Sequence, residues 1–162
     1  MEEKSMGLRN LRFEGDPVLN KVAKEVKEMT PRVKDLIGDL LETMYHENGV
    51  GLAAPQVGIL KRICVIDVGE GPYVFINPEI IETSGSQTGG GRLSECPGKS
   101  RIVTRPDYVK TRALDSEMQP FEIEGTGLFA RAMCHEFDHL DGHLYVEKVE
   151  GELKEAVFEE GE

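Results

Sequence analysis

Val33, Leu36, Ile37, Leu40, Leu41 and Met44 recur at steps of three and four residues, which predicts an amphipathic helix with one apolar face. Thr30-Pro31 supplies its start, with threonine as N-cap and proline at the first helical position, and Asn48-Gly49 marks its end. Short apolar runs with β-branched residues follow: Ile63 to Val68, Tyr73 to Ile76, Glu79 to Thr83, Arg101 to Arg105, Tyr108 to Leu114 and Phe121 to Glu124 all read as strands. Ser84 to Gly91 reads as a turn region, and Asp115-Ser116 as a hairpin turn. A second helix is predicted from a Thr126 cap to about Leu140, closed by Gly142. The order helix, strands, helix predicts an α+β fold, with antiparallel or mixed sheets packed around a central helix, rather than alternating βαβ units.

Length and composition narrow the class. The chain has 162 residues, 39% hydrophobic and 30% charged, which suits one globular domain over 1–162 with a polar, flexible lead-in at 1–7 and an acidic tail at 151–162. The formal charge of -11 and pI near 4.9 leave no basic footprint for a nucleic-acid backbone, so no direct DNA binding is expected. The same sign disfavours docking on an anionic membrane. No apolar run reaches the roughly 18 residues of a membrane span, and Met1-Glu2-Glu3 has the wrong charge to open a signal peptide. Three cysteines, Cys64, Cys96 and Cys134, cannot all pair and read as reduced thiols of a soluble cytoplasmic protein.

The chemistry is concentrated at His135-Glu136-Phe137-Asp138-His139, inside the second predicted helix. A spacing of four puts both imidazoles on one face, one turn apart, suited to two ligands of one divalent metal. Glu136 then lies beside the metal and can take a proton from water. Two histidines leave such a site one protein ligand short. A metzincin pattern extends as far as Gly142, but Tyr145 stands where its third histidine is needed and His143 is too close. A gluzincin glutamate would fall at Glu159, in the short charged tail. The remaining route is a cysteine upstream.

A second motif, Gly49-Val50-Gly51-Leu52-Ala53-Ala54-Pro55-Gln56, combines small residues that admit close backbone approach with a glutamine whose amide can donate to an oxyanion. Together with the histidine motif it resembles the peptide deformylase family, whose hallmarks are Gly-x-Gly-Leu-Ala-Ala-x-Gln, then Glu-Gly-Cys-Leu-Ser, then His-Glu-x-x-His. Gly15-Asp16-Pro17-Val18-Leu19, Ile76-Asn77-Pro78, Arg112-Ala113-Leu114-Asp115 and His139-Leu140-Asp141-Gly142 share the likeness, which runs from about Leu8 to Val149.

The middle hallmark departs. Gly90 to Gly98 reads Gly-Gly-Arg-Leu-Ser-Glu-Cys-Pro-Gly, and without gaps Leu93 occupies the place of the family's metal-binding cysteine. Leucine cannot bind a metal. Cys96 could replace the ligand through a rearranged loop, the chain could be an inactive deformylase-like binding module, or the sequence could carry a local frame slip. Gly-Arg-Leu-Ser-Glu-Cys can be encoded GGA AGG TTG TCT GAG TGT; without the first G, and with one base missing before Pro97 put back to keep the frame, the same letters read Glu-Gly-Cys-Leu-Ser-Val. The resemblance also pairs Arg105 with the glutamate that opens the middle hallmark, here written Gly91, so that Arg105 loses its partner if Gly91 stands.

By resemblance, the chain is a hydrolase that removes the formyl group from N-formylmethionine of nascent polypeptides, releasing formate. His135, His139 and the residue at position 93 hold the metal. Glu136 is the general base, and Gln56 and the backbone N–H of Ser94 stabilise the oxyanion. Val50, Gly51, Leu128 and Ala132 border the methionine pocket. The family uses Fe(II) in cells and accepts Zn, Ni or Co. Some relatives dock on the ribosome through a basic C-terminal segment, whereas Glu159-Glu160-Gly161-Glu162 is acidic, so ribosome association stays open. Cys64 and Cys134 read as packing, as do Met29, Met44, Met118 and Met133. His46 and His143 read as solvent-facing. Asp138 faces away from the two ligands, either to orient an arginine or as a plain surface carboxylate.

Overall fold

The computed structural model describes residues 8–12, 16–91 and 101–142. Among the described residues, two α-helices and seven strands are ordered α1 (Pro31–His46), β1 (Gly51–Ala53), β2 (Ile63–Ile66), β3 (Tyr73–Ser84), β4 (Gln87–Gly91), β5 (Arg101–Arg105), β6 (Tyr108–Leu114), β7 (Pro120–Thr126) and α2 (Gly127–Leu140). Five strands form one antiparallel sheet in the order β1-β2-β3-β6-β7, and β4 and β5 form a separate antiparallel ribbon. Among the described residues the one parallel pairing is an isolated bridge between Lys24 and Lys61.

The apolar alternation explains how the sheet lies between the helices. In β2 all four residues are buried. Ile63 and Val65 join Leu36, Ile37, Leu40 and Met44 of α1, whereas Cys64 and Ile66 join Met133, Phe137 and Leu140 of α2. A strand with helices on both faces must be apolar at every position, as Ile-Cys-Val-Ile is. Leu52 and Ala53 of β1, and Ile76 and Phe75 of β3, divide the same way. The helix α2 packs on β1, β2, β6 and β7 and also meets β5, which makes it the central helix of the α+β fold.

Thr30 caps α1 as predicted, its side chain accepting from the Val33 N–H. Thr126 sits at the N-cap of α2 but makes no side-chain cap bond, correcting the expected cap. Gly142 ends that helix with φ +81°. The two segments predicted as Tyr73 to Ile76 and Glu79 to Thr83 are one strand. Asn77, at φ 52°, absorbs a register shift between Ile76 and Glu79, so the gap between the two predicted segments is a bulge. Gln87 to Gly91, predicted as turn, pairs with Arg101 to Arg105. Backbone ladder bonds need no side-chain signature, and a polar glycine-rich run gives none. Asp115 builds the hairpin turn through bonds from the Glu117 and Gln119 N–H groups.

Candidate metal centre

The helical spacing of four does what the pattern predicts. His135 and His139 lie one turn apart with ring centroids 4.6 Å apart and ring planes at 85°. Ligand atoms of His135, Glu136 and His139 all lie within 4.8 Å of one another, and all three side chains are buried. His135 Nε2 is 3.9 Å from Glu136 Oε2. Two imidazoles and a carboxylate gathered away from bulk solvent suit a borderline divalent ion. Among the described residues, no other group of His, Cys, Asp and Glu meets this geometry.

The edge of the sheet and the turn after it shape the other wall. β1 passes so close to α2 that a Cβ placed on Gly51 would lie 2.6 Å from Glu136 Oε2. Only glycine leaves room there for the carboxylate. The chain then enters a 3-10 turn, Ala54–Val57, whose Gln56 is buried. Gln56 Oε1 accepts the Ala53 N–H at 2.9 Å, so the amide oxygen is committed to the backbone and the NH2 is the donor end of this side chain. The Gln56 carbonyl accepts the Arg12 N–H at 2.7 Å, tying the turn to the N-terminal segment.

Asp138 faces an arginine rather than plain solvent. Its Oδ2 accepts from Arg105 Nη1 at 2.6 Å, and the Arg105 side chain is only 6% exposed. Arg105 Nη2 is buried with no hydrogen-bond partner among the described residues. The Cys64 thiol is buried against α2. Burial first, and the Glu136 charge second, push its pKa well above the ordinary value.

A family model for polypeptide deformylase matches residues 9–155. A peptide deformylase of Agathobacter rectalis is 64% identical over 155 residues, covering 96% of this chain and 98% of that protein. The chain belongs to the peptide deformylase family. The crystal structure of the Thermotoga maritima peptide deformylase superposes with a TM-score of 0.85 at 40% identity, covering 88% of this chain and 97% of that one. That of a Synechococcus elongatus peptide deformylase in complex with actinonin superposes with a TM-score of 0.85 at 39% identity, covering 88% and 79%.

Of the residues that the deformylase resemblance singles out, His135, Glu136, His139 and Gly51 are brought together. Gln56 lies on the 3-10 turn that packs on α2. Leu128 and Ala132 precede His135 and Glu136 on the same helix at helical spacing, and Leu128 and Val50 are exposed hydrophobics. Leu93, Ser94 and Cys96 lie outside the described residues, as do His143, Glu159, the lead-in and the tail. Cys134, Met44 and Met133 are core residues, and His46 is exposed beside Glu47. Two features had no motif to announce them: that Glu136 is the group Gly51 makes room for, and the bonds from Ala23 and Arg62 to the end of α2.

Proposed function

We propose that this chain hydrolyses the N-terminal formyl group of N-formylmethionyl nascent polypeptides, acting as one catalytic domain in the cytoplasm, with Fe(II) as its metal in cells and Zn, Ni or Co able to replace it. The observation that carries the proposal is the buried His135, Glu136 and His139 group facing the glycine of a Gly-x-Gly-Leu-Ala-Ala-x-Gln loop. His135 and His139 would hold the ion. When bound, it supplies Lewis acidity and lowers the pKa of water.

The chain's own groups do the rest. Glu136 takes one proton of the attacking water as the oxygen adds to the formyl carbon. Gln56 donates its amide NH2 to the oxygen on which charge develops, joined by the backbone N–H at position 94. As the C–N bond breaks, Glu136 returns the proton to the amine, leaving formate and a free N-terminus. Val50, Gly51, Leu128 and Ala132 line the approach for an unbranched apolar side chain such as methionine.

For the third donor we propose a cysteine at position 93, with residues 91–96 being Glu-Gly-Cys-Leu-Ser-Val. The resemblance also pairs a glutamate at position 91 with Arg105, whose Nη2 has no hydrogen-bond partner among the described residues. An intact mass lighter by the difference between arginine and valine supports this; tandem spectra with Arg92 and Leu93 as written overturn it. In the assay of the function, formate release from a formyl-Met peptide is expected with the ferrous or nickel-loaded protein. Glu136→Ala should lower it by about 10²- to 10⁴-fold while metal content stays unchanged. A protein that takes up metal but leaves the formyl peptide intact overturns the proposal.

A further inference from the structure

The C-terminal turn of α2, which carries His139, is held by residues far from it in the chain. A helix end leaves carbonyls without intrahelical partners, and here each one in the last turn has a donor. Phe137 and Asp138 carbonyls accept the Asp141 N–H, and the His139 carbonyl accepts the Gly142 N–H at 3.1 Å. The Leu140 carbonyl takes two donors from outside the helix, the Ala23 N–H at 2.8 Å and Arg62 Nη1 at 3.1 Å. The same Nη1 donates to Asp141 Oδ1 at 3.0 Å. A cation at this end also suits the helix dipole.

Arg62 is itself fixed on both sides. Its N–H donates to the Lys24 carbonyl and its carbonyl accepts the Asn77 N–H. Asn77, at the bulge of β3, grips the 22–26 segment by a pair of bonds: Oδ1 accepts the Val26 N–H at 2.9 Å and Nδ2 donates to the Val26 carbonyl at 2.8 Å. Asn77 therefore ties the backbone of Arg62 to the segment that, three residues before Val26, donates from Ala23 to the Leu140 carbonyl. Gly142 closes the arrangement, since a Cβ there would lie 2.9 Å from the Asn20 carbonyl oxygen. The other end of α2 has no side-chain cap.

We propose that Arg62, backed by Asn77, is a positioning residue for the metal ligand His139. It touches no reacting atom. It fixes the axial position and rotation of the turn on which one imidazole stands, and a metal site tolerates only a few tenths of an ångström of error in its ligands. The inference rests on the metal site proposed above.

Its test is the metal dissociation constant, measured by chelator competition with Zn or Co, beside hydrogen exchange and thermal unfolding of the metal-free protein. Arg62→Met should weaken binding about tenfold, at the lower end of what outer ligand-orienting groups contribute. It should also speed exchange at the Asp141 and Gly142 amides and lower kcat at limiting metal, with KM unchanged. Because one nitrogen makes both contacts, Arg62→Lys should recover most of the affinity. Arg112→Met, which removes an exposed pair with Glu122, should leave it unchanged. Should Arg62→Met fail to fold, Asn77→Gly, which keeps the positive φ but loses both bonds to Val26, carries the same expectation. Wild-type affinity in the folded Arg62 or Asn77 variant overturns the proposal, as does a loss matched by Arg112→Met. No metal uptake by the unmodified protein would instead overturn the reading of the site itself.

Discussion

Single residues decide whether the site has room to work, and Gly51 shows how. With a Cβ at 2.6 Å from Glu136 Oε2 and 2.9 Å from Cγ, any other residue forces the carboxylate to move. The near wall is backbone of β1, paired to β2 through Gly51 and Ile66, so the side chain and not the strand must yield. Displacing a general base by about an ångström costs on the order of a hundredfold in rate. Gly51→Ala should lower kcat for a formyl-Met peptide by about that factor, with metal content and thermal stability close to wild type. Unchanged kcat would show that Glu136 needs no such space. At this scale the sequence was legible where chemistry imposes a pattern. Two histidines four apart on a helix have few other reasons to flank a glutamate, and the structure places all three together. The pairing of Asp138 with Arg105 was half legible: Asp138 was expected to face away from the ligands, but nothing local names the arginine 33 residues earlier.

Elements were legible in proportion to how much their side chains had to alternate. Helix α1 buries Val33, Leu36, Ile37, Leu40 and Met44 of its predicted face, leaves Leu41 half-buried, and begins at its predicted cap. Strand β4 is held by backbone pairing and escaped notice. The gap between the predicted strands ending at Ile76 and starting at Glu79 is a bulge, because Asn77-Pro78 interrupts the alternation without ending the strand. The join between α1 and β1 has a titratable anchor of its own. Asp67 accepts from Tyr45 Oη at 2.6 Å and from the N–H groups of Gly69 and Gly71, while its own N–H donates to the Val50 carbonyl. The bond from Tyr45 first, then that from Gly69, hold its carboxyl below the usual aspartate range. A carboxyl with a depressed native pKa binds its proton more readily in the unfolded chain. Its contribution to stability is therefore complete above the ordinary aspartate pKa near ~4 and is lost as pH falls through the lower native value. Asp67→Asn should remove this part of the acid sensitivity. The wild type should lose more of its melting temperature than the variant between about pH 5 and pH 3, and parallel losses would show that the anchor does not titrate in folding.

On the scale of the whole molecule, the sheet separates stability from the metal site. Its two faces carry two apolar clusters, one with α1 and one with α2, and only the second holds the ligands. Phe75 is fully buried under α2, with ring centroids 5.4 Å from Phe137, 5.8 Å from Phe121 and 6.5 Å from Phe129. Phe137 lies between the two histidines in the helix, so the floor on which the ligand helix rests is this ring. Leu40 is as deeply buried on the opposite face, beneath α1. Removing either side chain leaves a cavity, at about 3–5 kcal/mol for Phe75→Ala and about 2–5 kcal/mol for Leu40→Ala. These are comparable losses within a total of roughly 5–15 kcal/mol for a domain of this kind. Their effects on function should differ. Under Phe75→Ala, α2 settles toward the cavity and carries both imidazoles with it, so metal affinity should fall even at temperatures where the protein is fully folded. Under Leu40→Ala, the sheet stands between the cavity and the ligands, so the folded fraction should bind metal with wild-type affinity. Denaturant titrations give the two stabilities and chelator competition gives the two affinities. If both variants lost affinity alike, the sheet would not insulate the site and the two clusters would act as one core.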